Sequence, residues 1–152
     1  MEITSKLESL GLVLPPIPKA VALYQPSLRT GNLILTSGQL PSVAGVIEVK
    51  GKLGDNVSLE TAQKEAQKAV LNALATLLLH IDSLDRIKQI VKLGVFVAST
   101  PNFTEQHLVA NGASETIGNI FGEKGKHARF AIGVSSLPLD ACVELELTVE
   151  VE

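Results

Sequence analysis

The segment that most constrains the fold is the last one in the chain. Residues 143–151 read Val-Glu-Leu-Glu-Leu-Thr-Val-Glu-Val, so apolar and polar side chains alternate without interruption. Successive side chains of a β-strand point to opposite faces of its sheet. This alternation therefore predicts a strand, Cys142–Val151, with one face buried in a core and the other face polar.

Four further segments have the alternating or β-branched composition of strands: Ala20–Tyr24, Leu33–Gln39, Ile87–Ala98 and Arg129–Val134. The Gly31-Asn32 pair between the first two is a turn signal and predicts a hairpin. Residues 41–57 are punctuated by three glycines and predict a loop with one short strand. Gly94 stands in the middle of its strand, where it marks a bulge or a close approach of other atoms.

Helical features occur in three places. Residues 4–10 predict a short helix that is ended by Gly11. Ser58 is a suitable N-cap for a second helix, because its hydroxyl can accept a hydrogen bond from a free backbone N–H. Apolar residues then recur at helical spacing over residues 62–81. A third helix is predicted from about Glu105 to Phe121, with Gly122 as its stop.

The order of the main elements is β-β-α-β-α-β-β, which predicts an α/β (α+β) domain spanning residues 1–152. With the short strand of residues 41–57 included, the fold is one mixed six-stranded sheet with two helices on one face. The central strands carry apolar side chains toward both sides, so the face without helices would expose a large apolar patch. Association of several copies through that face is the expected remedy.

Composition and charge exclude several classes of function. The 13 basic residues are scattered among 16 acidic ones, and the net charge of −3 argues against a nucleic-acid partner. Cys142 is the only cysteine, which excludes an internal disulfide and a cysteine-based zinc site. The histidines lack i,i+4 spacing, so a catalytic metal is not expected. No secretory signal and no membrane-spanning apolar run is present, and a cytoplasmic location is therefore expected.

Two segments of the chain form a distinctive combination. Residues 31–41 read Gly-Asn-Leu-Ile-Leu-Thr-Ser-Gly-Gln-Leu-Pro, and Ala128-Arg129-Phe130 is followed by Leu137-Pro138 and Glu144-Leu145-Glu146. Together they resemble the RidA/YjgF family, whose members are also called reactive intermediate deaminases or, in older descriptions, L-PSP endoribonucleases. The resemblance implies a chorismate-mutase-like fold, packed as a homotrimer with clefts between the subunits.

The resemblance also implies a role for Arg129. It stands where the family has an arginine that binds the carboxylate of an enamine or imine intermediate such as 2-aminoacrylate. A guanidinium suits this role, because its planar fork can hold a carboxylate with two hydrogen bonds and stays charged at physiological pH. Composition alone favours a surface arginine that pairs with a nearby glutamate, whereas the motif position favours the ligand role.

Two more residues are implied to act on the substrate. Glu144 stands at the acidic position that orients the hydrolytic water, and a carboxylate in a partly dry cleft can act as a general base. It could equally be an outward-facing strand residue, since it shares its parity with Glu146. Tyr24 stands at the family's site tyrosine and would close over the substrate; the alternative is a core ring whose hydroxyl reaches water.

The remaining site residues are implied by the same resemblance. Ser37 and Gly38 would line the pocket, unless they are simply the end of a strand. Asn111 would be a polar anchor near the cleft, although a helix-surface asparagine is as plausible. The chain departs from the family at Ala131, where a cysteine is usual and backbone groups would take its role, and at His127, where a proline is usual.

The leading hypothesis is hydrolytic deamination of a small carboxylate-bearing enamine or imine to a 2-keto acid and ammonia. No cofactor is needed, because the imine carbon is already electrophilic. The alternative is a trimeric protein that binds a small carboxylate without turnover. RNA cleavage is the weakest hypothesis, since the chain is acidic and has no paired His or Lys constellation.

Overall fold

Three α-helices and five β-strands form the described part of the computed structural model, residues 2–19 and 23–152. The helices are α1 (Ile3–Ser9), α2 (Leu59–Leu77) and α3 (Gln106–Phe121). The strands are β1 (Ser27–Thr30), β2 (Leu33–Thr36), β3 (Ile87–Ala98), β4 (Ala128–Val134) and β5 (Val143–Val151).

The strands form one mixed sheet in the order β1-β2-β5-β3-β4. β3 and β4 are parallel, and the other neighbours are antiparallel. The two long helices pack on one face, with α2 against β5 and α3 against β3 and β4. Leu145 and Leu147 of β5 are at most 1% exposed on that face, while Glu144 and Glu146 point to the other. The alternation predicted for the last strand is therefore confirmed.

The predicted six-stranded sheet is wrong, since the structure has five strands, and the fold has three helices in all rather than the two predicted on the sheet. Residues 41–57 form no strand, because Gly45, Gly51 and Gly54 adopt positive φ angles that interrupt extended backbone. Isolated bridges fasten this segment to the sheet instead, among them Lys50 to Ala141. The third helix is α1, which confirms the short helix predicted for residues 4–10 and packs beside α3.

The predicted hairpin is present, but its first strand lies closer to the turn than expected. Thr30 pairs with Leu33 across the Gly31-Asn32 turn, so β1 occupies Ser27–Thr30 rather than Ala20–Tyr24. A two-residue turn pairs the residues that directly flank it, which fixes this register. Residues 20–22 of the predicted strand lie outside the described residues, and Tyr24 forms a single bridge.

The predicted start of α2 and the predicted end of α3 are confirmed, while α2 ends at Leu77, before the last residue of its apolar pattern. The Ser58 hydroxyl accepts a hydrogen bond from the Thr61 backbone N–H at 3.2 Å and caps α2. α3 ends at Phe121, where Gly122 turns the backbone with a φ of 61°. Among the described residues, no helix has the length and hydropathy needed to cross a membrane.

A close approach of α3 to α2 depends on Gly112. A Cβ atom there would lie 2.6 Å from the carbonyl oxygen of Gln63. Gly112→Ala is therefore expected to push the helices apart and to lower the free energy of unfolding by about 1–3 kcal/mol. The matched control is Gly118→Ala in the same helix, where nothing lies within 4 Å of the added Cβ. It should stabilise the protein by about 0.5–1 kcal/mol. Urea unfolding checks both values, and equal stabilities would contradict the prediction.

The sheet face opposite the helices (the open face) carries exposed apolar side chains, as predicted. Leu28 is 60%, Leu35 43% and Ile132 46% exposed. They extend over β1, β2 and β4, while acidic residues of β5 lie between them. A single chain therefore leaves an apolar surface here that is mixed with negative charge.

Gly94 makes room for an aromatic pair on the open face. Phe96 and Phe130 meet edge to face, with ring centroids 5.3 Å apart. A Cβ at Gly94 would lie 2.4 Å from the Phe130 ring. The close approach predicted for this glycine is confirmed, whereas the register shifts of β3 occur nearer its start, within residues 87–92.

The single cysteine lies just before β5 and is fully buried. Burial raises the pKa of the Cys142 thiol to about 11, and the negative charge of Glu65 adds to the increase. Glu65 is itself buried on α2 and pairs with Lys68 at 2.8 Å. Cys142 is therefore an inert part of the core.

Candidate functional site

Arg129 lies near the start of β4, the edge strand of the sheet, and its side chain reaches toward α3. Its Nη1 donates to Asn111 Oδ1 at 2.9 Å and to Ser114 Oγ at 3.1 Å. Its Nη2 lies 3.5 Å from the backbone carbonyl oxygen of His107. The guanidinium is thus held along one side by neutral acceptors.

The positive charge of Arg129 has no acidic partner. No Asp or Glu within residues 2–19 and 23–152 has a carboxylate oxygen within 4.0 Å of this guanidinium. The surface ion pair considered from composition does not form within these described residues. The Nε of Arg129 has no hydrogen-bond partner in that part of the chain either, and Nη2 has only the 3.5 Å contact to His107. The edge formed by Nε and Nη2 is therefore available to a ligand. This edge has the geometry that binds a carboxylate with two hydrogen bonds.

The side chain of Asn111 is placed by α3, and its Oδ1 accepts a hydrogen bond from Arg129. Ala131 lies two residues after Arg129 on β4 and therefore points to the same side of the sheet. It is half-buried and pairs with Val95 of β3. These three residues lie together between β4 and α3.

Glu144 lies on the open face of β5 and is half-buried. A Cβ at Gly38 would be 2.8 Å from its Oε2, so the carboxylate lies against the bare backbone of this glycine. The contact is fixed by a bridge in which Gln39 and Leu145 exchange backbone hydrogen bonds of 2.7 and 3.0 Å. Burial raises the pKa of Glu144, and the charge of Glu146 raises it further. A carboxyl group of raised pKa is a better proton acceptor once it is ionised.

Ser37 and Tyr24 are neighbours of the Glu144 region. The Ser37 hydroxyl donates to the Gln25 carbonyl oxygen at 2.6 Å, and the Ser37 N–H donates to the Pro26 carbonyl at 2.8 Å. Tyr24 is 65% exposed. The alternative of a core ring is therefore wrong for the single chain, and Ser37 holds the segment that presents Tyr24 to solvent.

Arg129 and Glu144 lie on opposite faces of the sheet within one chain. Arg129 pairs with Leu93, which is fully buried beneath the helices, and Glu144 pairs with Phe96 on the open face. Leu93 and Phe96 are three residues apart on β3, so their side chains, and those of their partners, point to opposite faces of the sheet. Two clefts of about 630 and 700 Å³ in this chain are lined by other residues. A single chain therefore does not bring Arg129 and Glu144 together.

The family model described as "YjgF/chorismate mutase-like, putative endoribonuclease" matches residues 4–151. The chain belongs to the YjgF family. Its mixed α+β fold is the YjgF/chorismate-mutase-like one, and membership supports a small-molecule-binding or deaminase-type role in general.

Individual relatives of this YjgF-family chain cover almost its whole length. Protein TCP17 of Trypanosoma cruzi is 40% identical over 151 residues, which is 97% of this chain and 93% of that protein. The crystal structure of Atu1372 from Agrobacterium tumefaciens is 43% identical with a TM-score of 0.91, covering 99% of this chain and 92% of that one. The crystal structure of a protein from Shewanella oneidensis MR-1, described as "a putative endoribonuclease", is 31% identical with a TM-score of 0.93. It covers 99% of this chain and 100% of that one.

Two residues beside Arg129 were not assigned a role from the sequence. Ser114 accepts a hydrogen bond from Arg129, and its Oγ lies 2.9 Å from His127 Nε2. His127 was noted only as a departure from the family pattern. The signal that could have found Ser114 is its i,i+3 spacing from Asn111, which places both side chains on one face of a helix.

The raised pKa of Glu144 predicts a pH-dependent stability effect. Because the pKa in the folded chain lies above that in the unfolded chain, the ionised carboxylate destabilises the fold and the protonated one does not. Glu144→Gln is therefore expected to raise Tm at neutral pH. The gain should shrink as the pH falls toward about 4.3, the ordinary pKa of glutamate. Melting curves at neutral and acidic pH test this.

The matched control is Glu150→Gln, which removes one negative charge from the same face of the same strand. A gain in Tm that is equal for both variants, or equal at both pH values, would contradict the interpretation of Glu144.

Proposed function

We propose that this protein hydrolyses small enamine or imine intermediates that carry a carboxylate, such as 2-aminoacrylate, to a 2-keto acid and ammonia. Family membership supports the general class, and the residues around Arg129 and Glu144 support the specific reaction. The proposal keeps the expectation of a cytoplasmic protein without a cofactor.

The observation that carries the proposal is the unpaired charge of Arg129. A guanidinium that is ordered by Asn111 and Ser114 but has no acidic partner in the described chain is prepared for an external anion. Its Nε–Nη2 edge matches the two oxygens of a carboxylate. Ala131, next along the same side of β4, would leave space beside the bound ligand.

The complete site would form between subunits of a homotrimer. Arg129 lies at the edge strand of one chain, and Glu144 lies on the open face that a single chain leaves apolar and exposed. Covering that face with a second copy would bury the apolar side chains of β1, β2 and β4. It would also bring the Glu144 region of one subunit toward the Arg129 region of its neighbour, which a single chain cannot do.

The reaction then needs few groups. Arg129 would hold the substrate carboxylate, and Tyr24 would cover the ligand. A proton from solvent adds to the enamine carbon and gives the iminium ion, whose carbon is attacked by water. Glu144 would orient that water, accept its proton and return this proton to the nitrogen of the carbinolamine. Ammonia then leaves, and the hydroxyl proton returns to solvent as the keto acid forms. The bare backbone of Gly38 allows the Glu144 carboxylate to occupy its position.

The test is release of ammonia and keto acid from freshly generated 2-aminoacrylate. Wild type should exceed the buffer rate, and Glu144→Gln should lose most of the turnover, by about 100-fold or more. Binding of 2-oxobutyrate, measured by calorimetry, should survive in Glu144→Gln. Binding without turnover in the wild type would instead establish the alternative, a trimeric carboxylate-binding protein. Absence of both binding and turnover would reject the proposal.

A further inference from the structure

His127, Ser114 and Arg129 form a continuous chain of hydrogen bonds beside the proposed carboxylate site. His127 Nδ1 lies 2.6 Å from the carbonyl oxygen of Gly125, and His127 Nε2 lies 2.9 Å from Ser114 Oγ. Ser114 Oγ lies 3.1 Å from Arg129 Nη1. His127 and Ser114 are half-buried, whereas Arg129 is exposed.

The chemistry of the partners determines where the protons are. A carbonyl oxygen can only accept, so Nδ1 of His127 carries the proton that points to Gly125. In the neutral imidazole, Nε2 is then an acceptor, and the Ser114 hydroxyl must donate to it. The Ser114 hydrogen therefore points away from Arg129, and an oxygen lone pair faces the Arg129 Nη1–H.

The backbone that carries His127 is itself fastened to β3. The side-chain amide of Gln89 donates to the carbonyl oxygens of Lys124, at 3.1 Å, and of Lys126. Gly125 lies between these two residues and supplies the acceptor for His127. The position of the imidazole is thus set by the sheet rather than by the surface turn alone.

We propose that His127 is a positioning residue: through Ser114, it orders the Arg129 guanidinium so that its Nε–Nη2 edge faces the ligand. This inference rests on the proposed carboxylate role of Arg129. Both hydrogens of Nη1 are directed to fixed acceptors, one on Asn111 and one on Ser114. An exposed arginine has large rotamer freedom, and ordering it before binding removes that entropic cost from the affinity.

The first measurement does not depend on any ligand. Nitrogen-15 NMR of the wild type should show separate, slowly exchanging Nη signals for Arg129, assigned with Arg129→Lys. In His127→Leu and Ser114→Ala these signals should merge through faster rotation. In Ser114→Thr, which keeps the hydroxyl, they should stay separate. His127→Gln should also keep them separate, because its amide oxygen can accept from Ser114 in place of Nε2.

The second measurement is binding of 2-oxobutyrate by calorimetry. His127→Leu and Ser114→Ala should weaken it by about fivefold to tenfold, the cost of ordering one long side chain on binding. In the turnover assay the same variants should raise KM and leave kcat within about twofold, since only binding is affected. Ser114→Thr and His127→Gln should behave like the wild type.

The two measurements separate failure of this inference from failure of the proposed function. Separate Arg129 signals in both His127→Leu and Ser114→Ala, or unchanged 2-oxobutyrate binding in both, would overturn the positioning role while leaving the function intact. A wild type that neither binds 2-oxobutyrate nor turns over 2-aminoacrylate would overturn the function, and the NMR comparison would still decide whether His127 orders Arg129. Thermal melts confirm that each variant is folded, and Ser114→Ala alone suffices should His127→Leu not fold.

Discussion

Arg129→Ala is expected to reduce the affinity for 2-oxobutyrate by about 100-fold or more. Two charge-assisted hydrogen bonds to a carboxylate are lost, each contributing about 1.5–3 kcal/mol. Turnover of 2-aminoacrylate should fall to the rate in buffer. Arg129→Lys keeps the charge but not the planar fork, so its affinity should be intermediate. Calorimetry and the ammonia-release assay measure both effects.

The matched control is Arg86→Ala, which removes a surface arginine that pairs with Asp82 at 3.1 Å. Its 2-oxobutyrate affinity should equal that of the wild type, because this ion pair lies on an exposed turn. The carboxylate role would be refuted by an Arg129→Ala variant that is folded and binds as tightly as Arg86→Ala.

The second large effect is recovery of activity when two inactive variants assemble together. Arg129→Ala and Glu144→Gln should each be inactive alone. If each site takes Arg129 from one subunit and Glu144 from its neighbour, random mixing of equal amounts leaves about one quarter of the sites intact. Co-refolding the two variants should therefore restore about one quarter of the wild-type rate, starting from almost none.

Two controls make this result specific. The folded variants mixed without unfolding should remain inactive unless subunits exchange. The double variant Arg129→Ala/Glu144→Gln, co-refolded with an equal amount of wild type, supplies no complementary residue, so activity should fall to about one quarter rather than the one half that dilution alone gives. Failure of the co-refolded single variants to recover activity, with both incorporated in one oligomer, would contradict a site shared between subunits.

Elements whose residues interact locally were predictable from the sequence. The alternation of β5, the Ser58 cap and the stop at Gly122 depend on neighbours within a few residues. The errors arose where distant parts of the chain decide the structure. Residues 41–57 are held by bridges to distant strands rather than by a strand of their own, and β1 follows the turn register rather than the composition of residues 20–24.

The candidate site was predictable as a set of residues but not as a geometry. The motif singled out Arg129 and Glu144, and nothing in their spacing shows that they belong to opposite faces. That follows from the pairing of two other residues, Leu93 and Phe96, on the strand between them. The contact between Ser114 and His127 was likewise hidden, since it joins a helix to the residue before β4.

The buried Cys142 gives the protein an internal probe of its own folding. A thiol with a pKa near 11 and no solvent exposure cannot react with an alkylating reagent until the surrounding core opens. As the chain has one cysteine, the labelling rate of the unmodified protein reports a single opening event. Labelling rates of Cys142 with and without a bound carboxylate would then measure how much ligand binding raises the free energy of opening of the core. No engineered reporter is needed.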